Sequence, residues 1–351
     1  MPVFQFNKVV GIGRGIKAFL NLEGGFTRGA VPDNDLRREQ ISELKAAMKQ
    51  IEKQRRMLEN KERENTRLKA KLSGSLGSAG SRPEGQGASR AAGESEAGAL
   101  PDFIVIGGQR CESSFCYRRL LSWHPYVEPA VRKEVHYFDL YFDEGVDWYR
   151  SNFSPPARKE GVRVLTGEAS PDYLFHPHAP RRAAEVVQGA RLIALLRNPV
   201  DRAYSAYYLQ RRQGRETLSF EGAIEAEEDR LQGEKDRMLA DESYESPNRR
   251  YFSYQTMGIY VDQLREWHKF FDRDQVLVLK SEDLYDRTPE ALKLIQDFLD
   301  LPDWQPELSA LSKDPETRYS PMNLATRQRL EDYFEPHNQR LYEYLGVDFG
   351  W

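Results

Sequence analysis

The chain has 351 residues and a formal net charge of -4, with 51 lysines and arginines against 55 aspartates and glutamates. That balance supplies no global basic field for nucleic acid, and no nucleic-acid partner is expected. A mean hydropathy of -0.72, with no apolar run near the ~18–20 residues of a membrane span, argues against a transmembrane helix. Two cysteines, Cys111 and Cys116, are too few for a disulfide-built secreted domain.

Composition divides the chain into an arm (residues 1–34), a helical segment (35–72), a linker (73–100) and a globular region (101–351). The arm mixes basic and apolar residues but lacks a signal peptide's order of charge, apolar core and cleavage site, so a cytoplasmic location is expected. Residues 1–30 can lie on a membrane surface as a basic amphipathic stretch, or serve as a docking or disordered arm. Residues 35–72 contain no Gly or Pro. Ile41, Leu44, Met48, Ile51 and Leu58 fall at alternating three- and four-residue steps, with Arg55 interrupting. This is a short coiled-coil-like seam, capable of joining copies of the chain into a homo-oligomer. It decays at Glu62 and Asn65 and partly recovers at Leu68 and Leu72. Gly, Ser, Ala and Glu without periodicity then mark a flexible, disordered linker.

In the globular region, strand-like runs at 103–106, 162–166, 192–196 and 276–279 alternate with helical patterns at 117–123, 200–212, 221–231, 260–271 and 289–299. Buried strands alternating with helices predict an α/β, P-loop-like three-layer domain with a central parallel sheet flanked by helices. Ligands of such sheets bind beyond the carboxyl ends of the strands. Leu330, Tyr333, Phe334, Leu341 and Leu345 add a C-terminal helix at core spacing.

The first strand opens into Gly107-Gly-Gln-Arg-Cys-Glu-Ser-Ser114, a Gly-bearing strand-to-helix turn of the kind that cradles phosphate. Aligned on the Walker pattern from Gly107, the second Gly would be Glu112 and the Lys would be Ser113. The lysine that reaches the β- and γ-phosphates is therefore missing, and no companion acidic strand end for Mg²⁺ is evident. A kinase or ATPase is disfavoured.

The loop instead resembles the 5′-phosphosulfate loop of sulfotransferases of the glycosaminoglycan (heparan-sulfate) type, which use 3′-phosphoadenosine 5′-phosphosulfate (PAPS) and release the 3′,5′-bisphosphate (PAP). The resemblance covers about residues 101–351. It implies donor contacts from Gly108, Gln109, Arg110, Cys111, Glu112, Ser113 and Ser114, with Arg110 neutralising charge on the leaving phosphate. Lys133-Glu-Val-His-Tyr-Phe-Asp139 resembles the family's base-bearing motif. Glu134 is then the general base for an acceptor hydroxyl, His136 its assistant, and Lys133 and Asp139 neighbours of the acceptor. Gly167-Glu-Ala-Ser-Pro-Asp-Tyr173 resembles a segment at the cleft rim, which puts Ser170 and Tyr173 near substrate. Leu196-Arg-Asn-Pro through Tyr207 resembles the 3′-phosphate signature, carried by Arg197 and Ser205. Glu316-Thr-Arg318 stands where a Lys-Gly-Arg is common, and only Arg318 carries over.

The activity so implied is sulfuryl transfer to a hydroxyl or amine, most naturally of a carbohydrate, with a small-molecule acceptor as the alternative. The motifs require no metal. The acidic, Arg-rich stretch 213–250 is expected to border the acceptor cleft. Two local features complicate the loop. Family members usually have Gly where Glu112 stands, and a carboxylate facing a phosphate at ~4 Å would repel it by about 4 kcal/mol at an effective dielectric of ~20. The expectation is that Glu112 turns away. If it does not, the chain is a coiled-coil scaffold with a degenerate nucleotide site. Cys111, at a helix start, invites a reactive-thiolate reading, but many family loops hold Cys there and it reads as a small loop residue.

Overall fold

Strand β1 (Phe103–Gly107) has every residue buried and lies mid-sheet, between β4 (Val162–Ala169) and β5 (Arg191–Leu196). The coordinates are a computed structural model that describes residues 98–307 and 320–351. The arm, the coiled-coil-like segment, nearly all of the linker and Arg318 lie outside the described residues.

The sheet runs β2-β4-β1-β5-β6, with β2 (Val127–Pro129) and β6 (Val276–Lys280) at its ends. All these neighbours are parallel. β3 (Ala157–Lys159) pairs antiparallel with the start of β4. Phe103 aligns with Gly167 on one side and Arg191 on the other. The four longer strands are those expected from their apolar runs. β2 and β3 have three residues each, too short to show a period.

The helix after β1, α1, begins at Ser113–Phe115 and continues as a π-helical turn over Cys116–Leu121. It is followed by α2 (Ala179–Val187) and α3 (Pro199–Arg212). The Asn198 side chain caps α3 by accepting from Val200 N and Asp201 N, and Pro199 supplies its pre-set first turn. The expected helix over 221–231 is broken into Phe220–Glu225 and Glu227–Leu231. Glu227 is buried and spends its carboxylate on the backbone N–H groups of Gln255 and Thr256 at 2.6 and 2.8 Å. Nearby, Glu216 takes Arg230 at 2.6 Å and the Tyr254 hydroxyl at 2.9 Å. These buried carboxylates tie the acidic insert to the body of the domain.

Helix α4 (Pro247–Phe252) closes the insert. It is followed by α5 (Tyr260–Trp267), α6 (Thr288–Leu299) and α7 (Leu324–Leu345). Leu330, Phe334 and Leu341 of α7 are buried as their spacing predicts, whereas Tyr333 stays 37% exposed. No helix of the described residues is long and apolar enough to cross a membrane.

Gly107 shows what the sheet demands of the loop that leaves it. Its φ is +145°, and a Cβ there would lie 2.4 Å from the Pro171 carbonyl oxygen, so the β1 and β4 exits can approach only over a glycine. Gly107→Ala is expected to destabilise the domain by about 1–3 kcal/mol. An unchanged urea midpoint would show that the two exits can separate without cost.

Candidate active site

All five parallel strands deliver a polar group to one end of the sheet. The phosphate loop leaves β1, the Lys133–Asp139 segment follows β2, Ser170 and Asp172 follow β4, Arg197 follows β5, and Tyr285 follows β6. Parallel strands share their carboxyl ends, and for that reason residues far apart in sequence meet here.

The loop is held tightly. Gly108 N donates to Leu195 O at 2.6 Å, Arg110 and Glu112 take left-handed φ values of 65° and 63°, and α1 starts at Ser113 with no side-chain cap. Left-handed backbone costs a non-glycine residue about 1–2 kcal/mol, a strain kept where the surroundings over-determine it. Arg110 Nε donates to Ser205 Oγ at 2.9 Å, and Arg197 Nη1 donates to the Arg110 carbonyl at 3.3 Å. Two guanidiniums and a hydroxyl therefore converge beside an uncapped helix start, a set suited to two phosphates. Ser113 is buried, while Ser114 faces outward and accepts from Lys133.

Glu112 takes the φ of the glycine that the motif usually carries. Its Oε2 accepts from the Tyr285 hydroxyl at 2.6 Å, and its Oε1 stands 3.9 Å from Arg197 Nη1. Cys111 is fully buried near Tyr260 OH at 3.7 Å, and burial raises its pKa above the ordinary 9.0. It is a neutral thiol filling the turn.

Across the cleft, Glu134 and His136 both adopt left-handed φ, 55° and 56°. Lys133 Nζ lies 3.0 Å from Ser114 Oγ and 3.2 Å from Glu134. His136 Nε2 is 3.5 Å from Glu134, and its Nδ1 is 2.8 Å from Asp139 Oδ2. The hydrogen bond from His136, reinforced by Lys133 against the opposing effect of burial, holds the Glu134 carboxyl at about 2. Burial alone would lower His136, but its bonds to Asp139 and Glu134 outweigh that and lift it to about 10. The resting site is thus a carboxylate–imidazolium–carboxylate row. His136, Asp139 and Asp172 place metal-type donor atoms within 4.8 Å of one another.

Ser170 and Tyr173, expected at the cleft, are fully buried beneath it. Ser170 Oγ accepts from His136 N at 3.0 Å, and Tyr173 OH accepts from Tyr137 N at 2.7 Å. Both hydroxyls donate to the buried Glu168, as does Tyr149 OH at 2.8 Å. Desolvation raises the pKa of Glu168, and these hydroxyl bonds oppose the rise. Sequence reasoning passed over Glu168; its signal was a lone acid among the inward-facing residues of β4. Asp172 was also missed. It accepts from Gln109 Nε2 of the loop at 2.9 Å and stands 3.4 Å from Arg250.

The Gly-bearing turn after β1 lacks the Walker lysine and stands opposite the Glu134–His136–Asp139 row. Residues 100–336 match the family model described as a sulfotransferase domain. The chain therefore belongs to the sulfotransferase family, and its domain is that of a PAPS-dependent sulfotransferase.

Relatives agree. The chain is 25% identical over 317 residues to the membrane-associated sulfotransferase kil1 of Dictyostelium discoideum, covering 72% of this chain and 66% of that protein. It is 26% identical to the heparan sulfate glucosamine 3-O-sulfotransferase 3A1 of Mus musculus, covering 77% of this chain and 72% of the relative. It spans only 30% of the bifunctional heparan sulfate N-deacetylase/N-sulfotransferase 1 of Caenorhabditis elegans. Among solved structures, a sulfotransferase from Alicyclobacillus acidocaldarius is 30% identical, with a TM-score of 0.54, covering 72% of this chain and 98% of that one.

Two predictions come from these contacts. The raised His136 stabilises the fold fully below its ordinary 6.5 and loses that contribution as pH rises through about 10. The depressed Glu134 contributes fully above its ordinary 4.5 and loses it as pH falls towards about 2. The stability gap between wild type and His136→Ala, followed by urea unfolding, is expected to be widest between these ordinary values and to shrink towards pH 10. A gap independent of pH would mean that the imidazolium row does not form. For Glu112→Gln, loss of a half-exposed ion pair worth about 0.2–1 kcal/mol predicts a gain in PAP affinity of no more than about fivefold by calorimetry. A gain of hundredfold or more would place the carboxylate against bound phosphate.

Proposed function

We propose that the chain transfers a sulfuryl group from PAPS to a carbohydrate hydroxyl, with Glu134 as general base. The observation that carries this reading is the Lys133 bridge, which ties Glu134 to Ser114 at the head of the helix behind the phosphate loop. That contact supports a proton acceptor beside the loop that would hold a donor's 5′-phosphosulfate. The heparan sulfate sulfotransferases among the relatives support a carbohydrate acceptor.

When bound, PAPS supplies a sulfuryl group on a phosphate leaving group. Arg110 would face that phosphate and offset the charge that develops on it. Arg197 and Ser205 would hold the 3′-phosphate, Arg197 through the planar fork that suits such an anion. Gly108, Gln109 and Cys111 shape the turn.

Glu134 receives the proton of the attacking hydroxyl. Its low pKa keeps it ionised at every working pH, at some cost in basicity. His136 and Lys133 hold it in the ionised form before the proton arrives. Asp139 fixes the imidazole, and Ser170 and Tyr173 fix the backbone that carries it.

Glu134→Gln is expected to lower kcat by about 10²–10⁴, with PAP affinity within twofold of wild type by calorimetry. Arg197→Ala is expected to abolish micromolar PAP binding. A folded wild-type protein that fails to bind PAP would leave the scaffold reading in its place. Glu134→Gln with wild-type turnover of labelled donor would remove Glu134 from the chemistry.

A further inference from the structure

The residues that leave β6 touch both loops of the donor site. Ser281 N donates to Leu196 O at 2.7 Å, and Glu282 Oε1 accepts from Asn198 N at 2.9 Å, so the two contacts flank Arg197. Further on, in the short helix Asp283–Asp286, the Tyr285 hydroxyl donates to Glu112 Oε2 at 2.6 Å, and its ring centroid lies 4.4 Å from that of Phe115. We propose that Tyr285 is a positioning residue for the nucleotide donor: its hydroxyl anchors the Glu112 carboxylate and so keeps Arg197 open to a phosphate. The proposal rests on the reading of these two loops as a PAPS site.

Without an anchor, the Glu112 carboxylate has two other destinations. Its Oε1 stands 3.9 Å from Arg197 Nη1, close enough for an ion pair and too far for a hydrogen bond. Glu112 also occupies the residue before α1, yet its side chain makes no bond to the N–H groups of that helix start. Both places offer donors to an anion, so a mobile carboxylate is drawn to either. They are also the groups that would hold the donor's phosphates. A Glu112 that reached them would compete with the nucleotide from within the loop.

Tyr285 is built to prevent this. A hydroxyl donating to a carboxylate makes a short, charge-assisted bond, and a neutral phenol makes it without adding a charge to the site. The segment that carries Tyr285 is itself fixed. Leu284 is fully buried, and the Thr288 hydroxyl donates to the Leu284 and Tyr285 carbonyls at 2.7 and 3.4 Å. With Oε2 held, Oε1 stays at its distance from Arg197. Arg197 donates to the Arg110 carbonyl through Nη1 at 3.3 Å, which leaves most of its fork for a phosphate. A glycine at position 112 would give Tyr285 nothing to hold, so the role of the hydroxyl exists only through the glutamate.

The test is a double-mutant cycle read by calorimetric titration of PAP, with urea unfolding of each variant to confirm that it is folded. Tyr285→Phe removes the hydroxyl and keeps the ring on Phe115. With Glu112 present, it is expected to weaken PAP binding by about fivefold or more. Combined with Glu112→Gln, it is expected to change the Kd for PAP by less than about twofold relative to Glu112→Gln alone.

A residue that served only to pack the segment would produce the same loss in both backgrounds, and that result would overturn the proposal. Wild-type PAP affinity in folded Tyr285→Phe would also overturn it, while leaving the donor-site reading in place. Failure of the folded wild-type protein to bind PAP would overturn both.

Discussion

A carboxylate sealed from water must be met by donors, and Glu168 is met by three hydroxyls, from Ser170, Tyr149 and Tyr173. Leaving such a group unanswered costs several kcal/mol in a low-dielectric interior. The hydroxyls are therefore not free to turn elsewhere. Two of them spend their lone pairs on the backbone of His136 and Tyr137, in the segment that also carries Glu134. A single buried acid on a central strand thus fixes the segment that carries Glu134 and His136. Stacking of Tyr137 on Tyr149, with ring centroids 4.4 Å apart, adds apolar packing to the same clamp.

Above this clamp the polar groups run as a chain that begins and ends on the phosphate loop. Ser114 meets Lys133, Lys133 meets Glu134, Glu134 meets His136, His136 meets Asp139, and Asp172 returns to Gln109. Charges alternate from Lys133 through Glu134 and His136 to Asp139, whereas Asp139 and Asp172 are like groups, and burial together with Asp139 raises the pKa of Asp172. Glu112 belongs to the same economy of charge. Placed where a glycine would leave the loop bare, it accepts from Tyr285 and stands 3.9 Å from Arg197, on a left-handed backbone.

Much of the fold was legible because it is local. The runs Phe103–Ile106 and Leu192–Leu196 are apolar at every step, as a strand covered on both faces must be. Asn198-Pro199 announces the start of α3 through its own side chain and ring. The three-residue strands were not legible, nor was the break at Ala226, since Glu227 leaves the helical pattern to serve backbone groups 28 and 29 residues away. Within the candidate site, motif resemblance singled out Glu134, His136, Arg110 and Arg197, and the fold brings them to the same end of the sheet. Ser170 and Tyr173, expected at the cleft, are buried instead and turn towards Glu168.

The sequence by itself determined the family to which the loop belongs, the order of the longer strands and helices, and which charged residues the loop and its companion motifs carry, since each depends on neighbours within one strand–turn–helix unit. Only the tertiary structure decided what those residues face. The Glu112–Tyr285 contact spans 173 positions and the Gln109–Asp172 contact 63. Neither leaves a periodic trace in the chain. Both exist because parallel strands bring their carboxyl ends to one edge of the sheet, where side chains from separate crossovers must neutralise one another's charge.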